Sequence, residues 1–269
     1  MIGRLVLILL LLCRVLPAGA AEPVLTLSVG DSEQRFSVAG LLARPDAADL
    51  AVPRDASYGR AMSYRAVPLR ALLAMLPQGA IDTLEARATD GFVSQLPFAI
   101  VAGGAAIPWI AVEDPAHPWP NLPGKAVSAG PFYLVWEHPE RAGISAEQWP
   151  YALSGLAGVA PPAQRWPALA VAAALPPDAP ARRGQAVFAV QCLPCHRLHG
   201  AGAGEMGPDL GSPMPAVRYM TIPGLRALIR DPKSVRAWPQ QQMPAFDAAA
   251  LPDADLDALI AYLQHLAAR

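Results

Sequence analysis

Cysteine is scarce in this chain of 269 residues: there are three, Cys13, Cys192 and Cys195, and the whole stretch between them has none. With Cys13 in a leader segment and the other two committed to one short motif, no disulfide framework can be built. An excess of charge is also lacking. The formal net charge is −1, from 21 Lys and Arg against 22 Asp and Glu, which excludes a basic field for nucleic acid and an acidic tail. The apolar run Leu5–Leu12 is shorter than the ~20 residues that a bilayer span needs, so stable membrane insertion is not expected once the leader is removed.

That run belongs to an export signature. Met1–Arg4 gives a short basic start, and Ala18-Gly19-Ala20 is a small-residue cleavage signal. Residues 1–21 therefore read as a signal peptide, and a periplasmic location follows. A lipid anchor through Cys13 is the lesser alternative, because bulky Leu12 precedes it where a small residue is expected. Retention of the segment as an anchor is another.

Length and proline divide the remainder. The chain exceeds what one small helical fold requires, so at least one further domain is expected. Among its 30 prolines, the pairs Pro161-Pro162 and Pro176-Pro177 bracket an alanine-rich stretch. Residues 166–179 read as a semi-rigid linker between a domain over 22–165 and another over 180–269.

The second domain carries the chemistry. Cys192-Leu193-Pro194-Cys195-His196 is a CxxCH pentapeptide, whose spacing lets two thiols and one imidazole grip a single haem c. The thiols add across the vinyl groups as thioethers, and His196 falls under the iron as its proximal ligand. Two other chemistries fit less well. A thioredoxin-type dithiol would follow a strand and open a helix, whereas residues 182–191 read as a helix running into Cys192. A zinc site needs four ligands, and the only nearby addition is His199.

Around this motif the pattern is all-α. Gly184, Val187, Phe188 and Gln191 lie at spacings of three and four, and Leu256, Leu259, Ile260, Leu263 and Leu266 form one stripe on a last helix that starts at Pro252. Asp253, Asp255 and Asp257 stand near that helix's positive end. The domain resembles the class I cytochromes c: Gly184 and Phe188 match the family's first-helix crossing motif, and Tyr262 its last-helix aromatic. Thioether sulfur suits a sixth iron ligand that favours the reduced metal, and the candidates are Met62, Met75, Met206, Met214, Met220 and Met243. Met62 and Met75 belong to the other domain. The resemblance implies Met243, followed by Pro244 like the family's axial methionine, with Met214, also followed by proline, second. It further implies that Pro208 of Gly207-Pro208-Asp209-Leu210 accepts the other N–H of His196. For Trp238, Arg230 and Arg236, packing or solvated charge is favoured over contact with the haem propionates, and His265 reads as an exposed or capping residue.

The first domain reads as α+β, built on a twisted mixed sheet. Val24–Val29, Leu84–Ala88, Trp109–Val112 and Phe132–Trp136 are strand-like, Val67–Leu76 reads as a short helix, and Asp90-Gly91 as a turn. Its fragments Tyr64-Arg65-Ala66-Val67-Pro68-Leu69, Thr89-Asp90-Gly91-Phe92, Ile110–Asp114, Gly130–Val135 and Trp149-Pro150-Tyr151 together resemble the molybdopterin-binding domain of the sulfite oxidase family. That family binds molybdenum through a cysteine upstream of the tyrosine-to-leucine motif, and none exists here. The domain is therefore read as a docking or scaffold module, with His117 and His138 as surface residues. The expectation is a periplasmic electron carrier with one haem c, axial ligands His196 and Met243, an unidentified redox partner protein and no catalytic residue. The alternatives are an oxidoreductase whose first domain still holds a pterin or metal, and a haem-based gas or redox sensor.

Overall fold

The computed structural model describes residues 22–77 and 81–269; the signal-peptide reading, Cys13 included, lies outside them. A sheet-rich N-terminal region is followed by a helical one. In chain order the first holds β1 (Val24–Val29), β2 (Ser32–Ser37), α1 (Val38–Leu42), β3 (Ala48–Val52), β4 (Met62–Pro68), α2 (Leu69–Leu73), β5 (Thr83–Ala88), β6 (Val93–Pro97), α3 (Phe98–Gly103), β7 (Ile107–Val112), β8 (Phe132–Glu137) and β9 (Leu153–Val159).

These strands form two sheets where one was expected: β2-β1-β9-β5-β6 and β3-β4-β7-β8. β1 shows the alternation of a strand with one solvated face, with Leu25 and Leu27 fully buried. β8 shows none, since Phe132 through Trp136 are all at most 1% exposed and both its faces are covered. The helix expected over Val67–Leu76 begins only at Leu69. Val67 and Pro68 close β4, where Val67 pairs with Ile110 of β7. β9 went unread because its glycines hide a strand pattern. It nevertheless occupies the centre of the first sheet, parallel to β1 and antiparallel to β5. Its glycines reflect crowding: a Cβ at Gly158 would lie 3.1 Å from both Ile81 and Val29 side chains.

The helical region contains α4 (Pro162–Arg165), α5 (Pro180–Gln191), α6 (Ala216–Tyr219), α7 (Ile222–Arg230), α8 (Pro232–Val235) and α9 (Asp253–Ala267). Its centre is the crossing of α5 and α9. A methyl group at Gly184 would sit 1.9 Å from the Ala258 carbonyl oxygen and 2.6 Å from Tyr262 Cβ, so the backbones approach this closely only because residue 184 lacks a side chain. Next to it Phe188 and Tyr262, both buried, form a tilted ring pair with centroids 5.5 Å apart, a contact that adds to simple area burial.

Residues 166–175, expected to belong to a linker, instead form a strap on this core. Leu169 is 2% exposed, and Trp166, Val171 and Leu175 pack on the same cluster. The Tyr262 hydroxyl donates to Leu169 O at 2.7 Å. Val171 N donates to Gln185 Oε1 at 2.8 Å and Ala172 N to His265 Nε2 at 3.1 Å, which gives partly buried His265 a definite partner. Arg182 ties down the carbonyls of Ala173, Leu175 and Pro176. At the start of the strap, Arg165 reaches back to Glu85 and Gln95 of the first sheet, each at 2.5 Å. Proline and alanine here mark an ordered segment of short turns, one of them the 3₁₀ turn Pro167–Leu169, held by local backbone bonds and by side chains of α5 and α9.

Candidate functional site

α5 delivers the CxxCH motif. Cys192 caps the helix through its N–H to Phe188 O at 3.0 Å, and one more turn follows, with Cys195 N and His196 N donating to Cys192 O at 3.2 and 2.9 Å. Residues three and four apart share a face of such a turn, so both thiols and the imidazole come from one side of it. Leu193 is buried beneath. Pro194 O accepts from Val93 N of β6 at 3.2 Å, so the turn docks on an edge strand of the first sheet.

The imidazole is held by its far nitrogen. His196 Nδ1 lies 2.7 Å from Pro208 O; a carbonyl only accepts, so Nδ1 carries the hydrogen and Nε2 keeps a free lone pair. Gly207 makes the cradle. A Cβ there would come within 2.4 to 2.9 Å of three ring atoms. Burial lowers the His196 pKa against the opposing pull of the Pro208 bond and Asp209, which favours the neutral ring that metal ligation requires.

Asp209 organises this loop. Its carboxylate accepts backbone N–H bonds from His199 (2.9 Å), Gly200 (2.6 Å), Gly211 (2.7 Å) and Ser212 (3.0 Å). Burial alone would raise its pKa, but those four donors outweigh it and hold the carboxyl below its ordinary value of 3.8. With the folded value depressed, its contribution is present above that ordinary value and is lost as pH falls through the folded one. Asp209→Asn is therefore expected to cost roughly 1.5–3 kcal/mol at neutral pH and to flatten the acid limb of the stability curve. Denaturation midpoints of both proteins at neutral and acid pH check this, and an equal deficit at both pH values would remove the charge from the explanation.

The two thiols are poor thiolates. Burial, with the Glu147 charge second, raises both pKa values, that of Cys195 to about 12; a dithiol nucleophile needs the opposite shift. Among the described residues no group of three or more His, Cys, Asp or Glu is arranged to hold a metal ion.

The methionines separate by environment. Met206 and Met214 are exposed at 39% and 52%, with Met206 Sδ 4.0 Å from Cys195 Sγ. Met243 and Met220 pack on the helical core. Met243 lies in the coil between α8 and α9, next to buried Phe246, whose N–H donates to Ile229 O at 3.1 Å. Gln241, which the sequence reading missed, has both side-chain amide atoms buried without a hydrogen-bond partner, so the Met243 loop offers a donor and an acceptor to a polar group that the chain does not supply. No local pattern marks such a residue. Arg230 has a structural task, donating to Phe246 O (2.8 Å), Leu251 O (2.6 Å) and Asp253 (2.6 Å). Arg236 lies 5.8 Å from the centroid of exposed Trp238.

In the first domain, upstream of Tyr64, fully buried Asp55 accepts from Ser57 N and Tyr58 N at 2.9 Å, from the Tyr133 hydroxyl at 3.0 Å and from the Tyr64 hydroxyl at 2.8 Å. Burial and the Asp55 charge raise the pKa of both tyrosines, so they remain donors. His117 is exposed and pairs with Asp114 at 3.1 Å on the rim of a cavity of about 420 Å³ shared with Arg65 and Trp119. His138 is also exposed, 3.8 Å from Glu137 and from Glu140.

Residues 181–267 match the family model described as Cytochrome c. A domain of that family implies a covalently bound haem c and supports an electron-transfer role. No curated protein matches the chain.

Proposed function

We propose that this chain is a periplasmic electron carrier in which Cys192 and Cys195 hold one haem c, His196 and Met243 are the axial ligands, and the N-terminal domain is a docking or scaffold module for a redox partner protein. The observation that carries the reading is one turn presenting two thiols and an imidazole whose Nδ1–H is already engaged by Pro208. The fit extends to the surroundings: Gly207 leaves room for the ring, and Gln241 keeps an unpaired amide in the Met243 loop. The haem, when bound, supplies a one-electron ferric/ferrous couple. Pro208 orients His196 and would strengthen its donation, while the soft sulfur of Met243 would favour the reduced state.

Met243→Ala is expected to abolish the sulfur-to-iron charge-transfer band of the oxidised protein and to admit carbon monoxide to the reduced one. Met214→Ala should do neither, consistent with its exposure. An unchanged band in Met243→Ala would transfer the role to another methionine. Carbon monoxide binding to the unaltered protein would favour a sensor.

A likeness of the first domain to the sulfite oxidase molybdopterin fold is part of this reading, as is loss of the cofactor. Its support is Asp55, saturated by hydrogen bonds and inside the core, in the region upstream of Tyr64 where a thiolate would be needed. Stoichiometric molybdenum in the purified protein would overturn it in favour of an enzyme. The periplasmic location rests on residues 1–21, and export of a reporter fused to them tests it.

A further inference from the structure

Two carboxylates lie where the first sheet meets the helical domain, and their surroundings are opposite. Glu85 of β5 is 1% exposed and is met by Arg165 at 2.5 Å, Gln95 at 3.0 Å and Arg87. Burial opposes its ionisation, but these partners prevail and hold its carboxyl below the usual range. Glu147 is half-buried rather than enclosed and has no such partners: among the described residues no cation pairs with it and its side chain makes no hydrogen bond.

Its position is nevertheless fixed. Glu147 sits in the short 3₁₀ turn Ala146–Gln148, closed by a capping box between Ser145 and Gln148. Trp136 Nε1 donates to Gln148 O at 2.8 Å, and Ser94 Oγ donates to the main-chain oxygen of Glu147 at 2.7 Å. The turn packs on both β6 and α5, along the seam that Val93 N and Pro194 O close. From β6 it meets Ser94, and from the attachment turn its charge bears on Cys192 and Cys195. Asp90, in the turn between β5 and β6, acts on Cys195 from the same side. None of these groups is a cation. Burial pushes the Glu147 pKa up to about 7. His196 answers to other neighbours, the Pro208 carbonyl through a hydrogen bond and Asp209 through its charge.

Where packing strips part of the water from a carboxylate and no cation offsets the loss, ionisation is disfavoured, and groups of this kind cluster where a change of charge is part of the task. We propose that Glu147 couples electron transfer to protonation, taking one proton from water when an electron reaches the haem and returning it when the electron leaves. The proposal rests on haem attachment at Cys192 and Cys195. The charges balance. An electron from a one-electron donor removes one positive charge at the iron, and the proton removes the negative charge of Glu147, so the seam gains no net charge in either state. A ferric centre favours the ionised carboxylate; the midpoint potential must then fall as pH rises.

The test is a spectroelectrochemical titration of the full-length protein with small one-electron mediators, from about pH 5 to about pH 9. The potential is expected to fall through the neutral range with a limiting slope of about 59 mV for each tenfold change in proton concentration. Glu147→Gln should remove that slope and sit at the higher, protonated-form potential, while Glu147→Asp should retain a slope. A pH-independent potential in the unaltered protein, or the same slope in Glu147→Gln, overturns the coupling and leaves the attachment reading intact. Haem lost from the unaltered chain on a denaturing gel overturns both.

Discussion

Replacing Cys192 and Cys195 together by alanine is expected to leave a chain that retains no haem after denaturation. Each thiol supplies one of two thioether bonds, and a single axial bond from His196 does not survive unfolding. The single variants should keep haem through one bond, in reduced yield, because the bond that places Cys195, from its N–H to Cys192 O, is made by the backbone and depends on neither thiol. A haem stain on a denaturing gel reads all three. Retention in the double variant would exclude covalent attachment at this motif.

The second large effect concerns the strap. A fragment beginning at Trp166 is expected to keep the visible spectrum and most of the stability of the helical domain, whereas one beginning at Pro177 should lose most of that stability. The shorter fragment lacks Trp166, Leu169, Val171 and Leu175, which pack on the α5–α9 core; full burial of one such side chain is worth about 1.5–3 kcal/mol. It also strands the Tyr262 hydroxyl, whose partner is Leu169 O and which is 0% exposed, at about 1–3 kcal/mol. Against a total of roughly 5–15 kcal/mol for a typical domain, these losses decide whether the fragment folds. Denaturant midpoints followed in the haem absorption compare the two, and equal midpoints would show that the strap is dispensable.

Where information was local, the sequence was sufficient. The attachment motif spans five consecutive residues, and its chemistry depends on their order alone. The small residue at Gly184, the aromatic at Phe188 and the leucine stripe of α9 declared a close helix crossing through spacings of three and four. β1 was readable because one of its faces is solvated. β9 was not, because its place between β1 and β5 comes from partners more than 60 residues away, as in the pairing of Leu84 with Gly158, and its glycines carry no alternation.

The strap was misread for a related reason. A run of proline and alanine has the composition of a linker, and its attachment lies in single hydrogen bonds to side chains far along the chain, such as Tyr262 to Leu169 at a separation of 93 residues. Glu147 was equally silent, since any surface turn can carry a glutamate. Composition, spacing and short-range order thus determined the cofactor chemistry and the helical frame around it. Only tertiary structure decided that the first sheet lies against the attachment turn, that the linker is part of the core and that one carboxylate is left unpaired between them. Burial and pairing are properties of neighbours brought together by folding, and no local pattern records them.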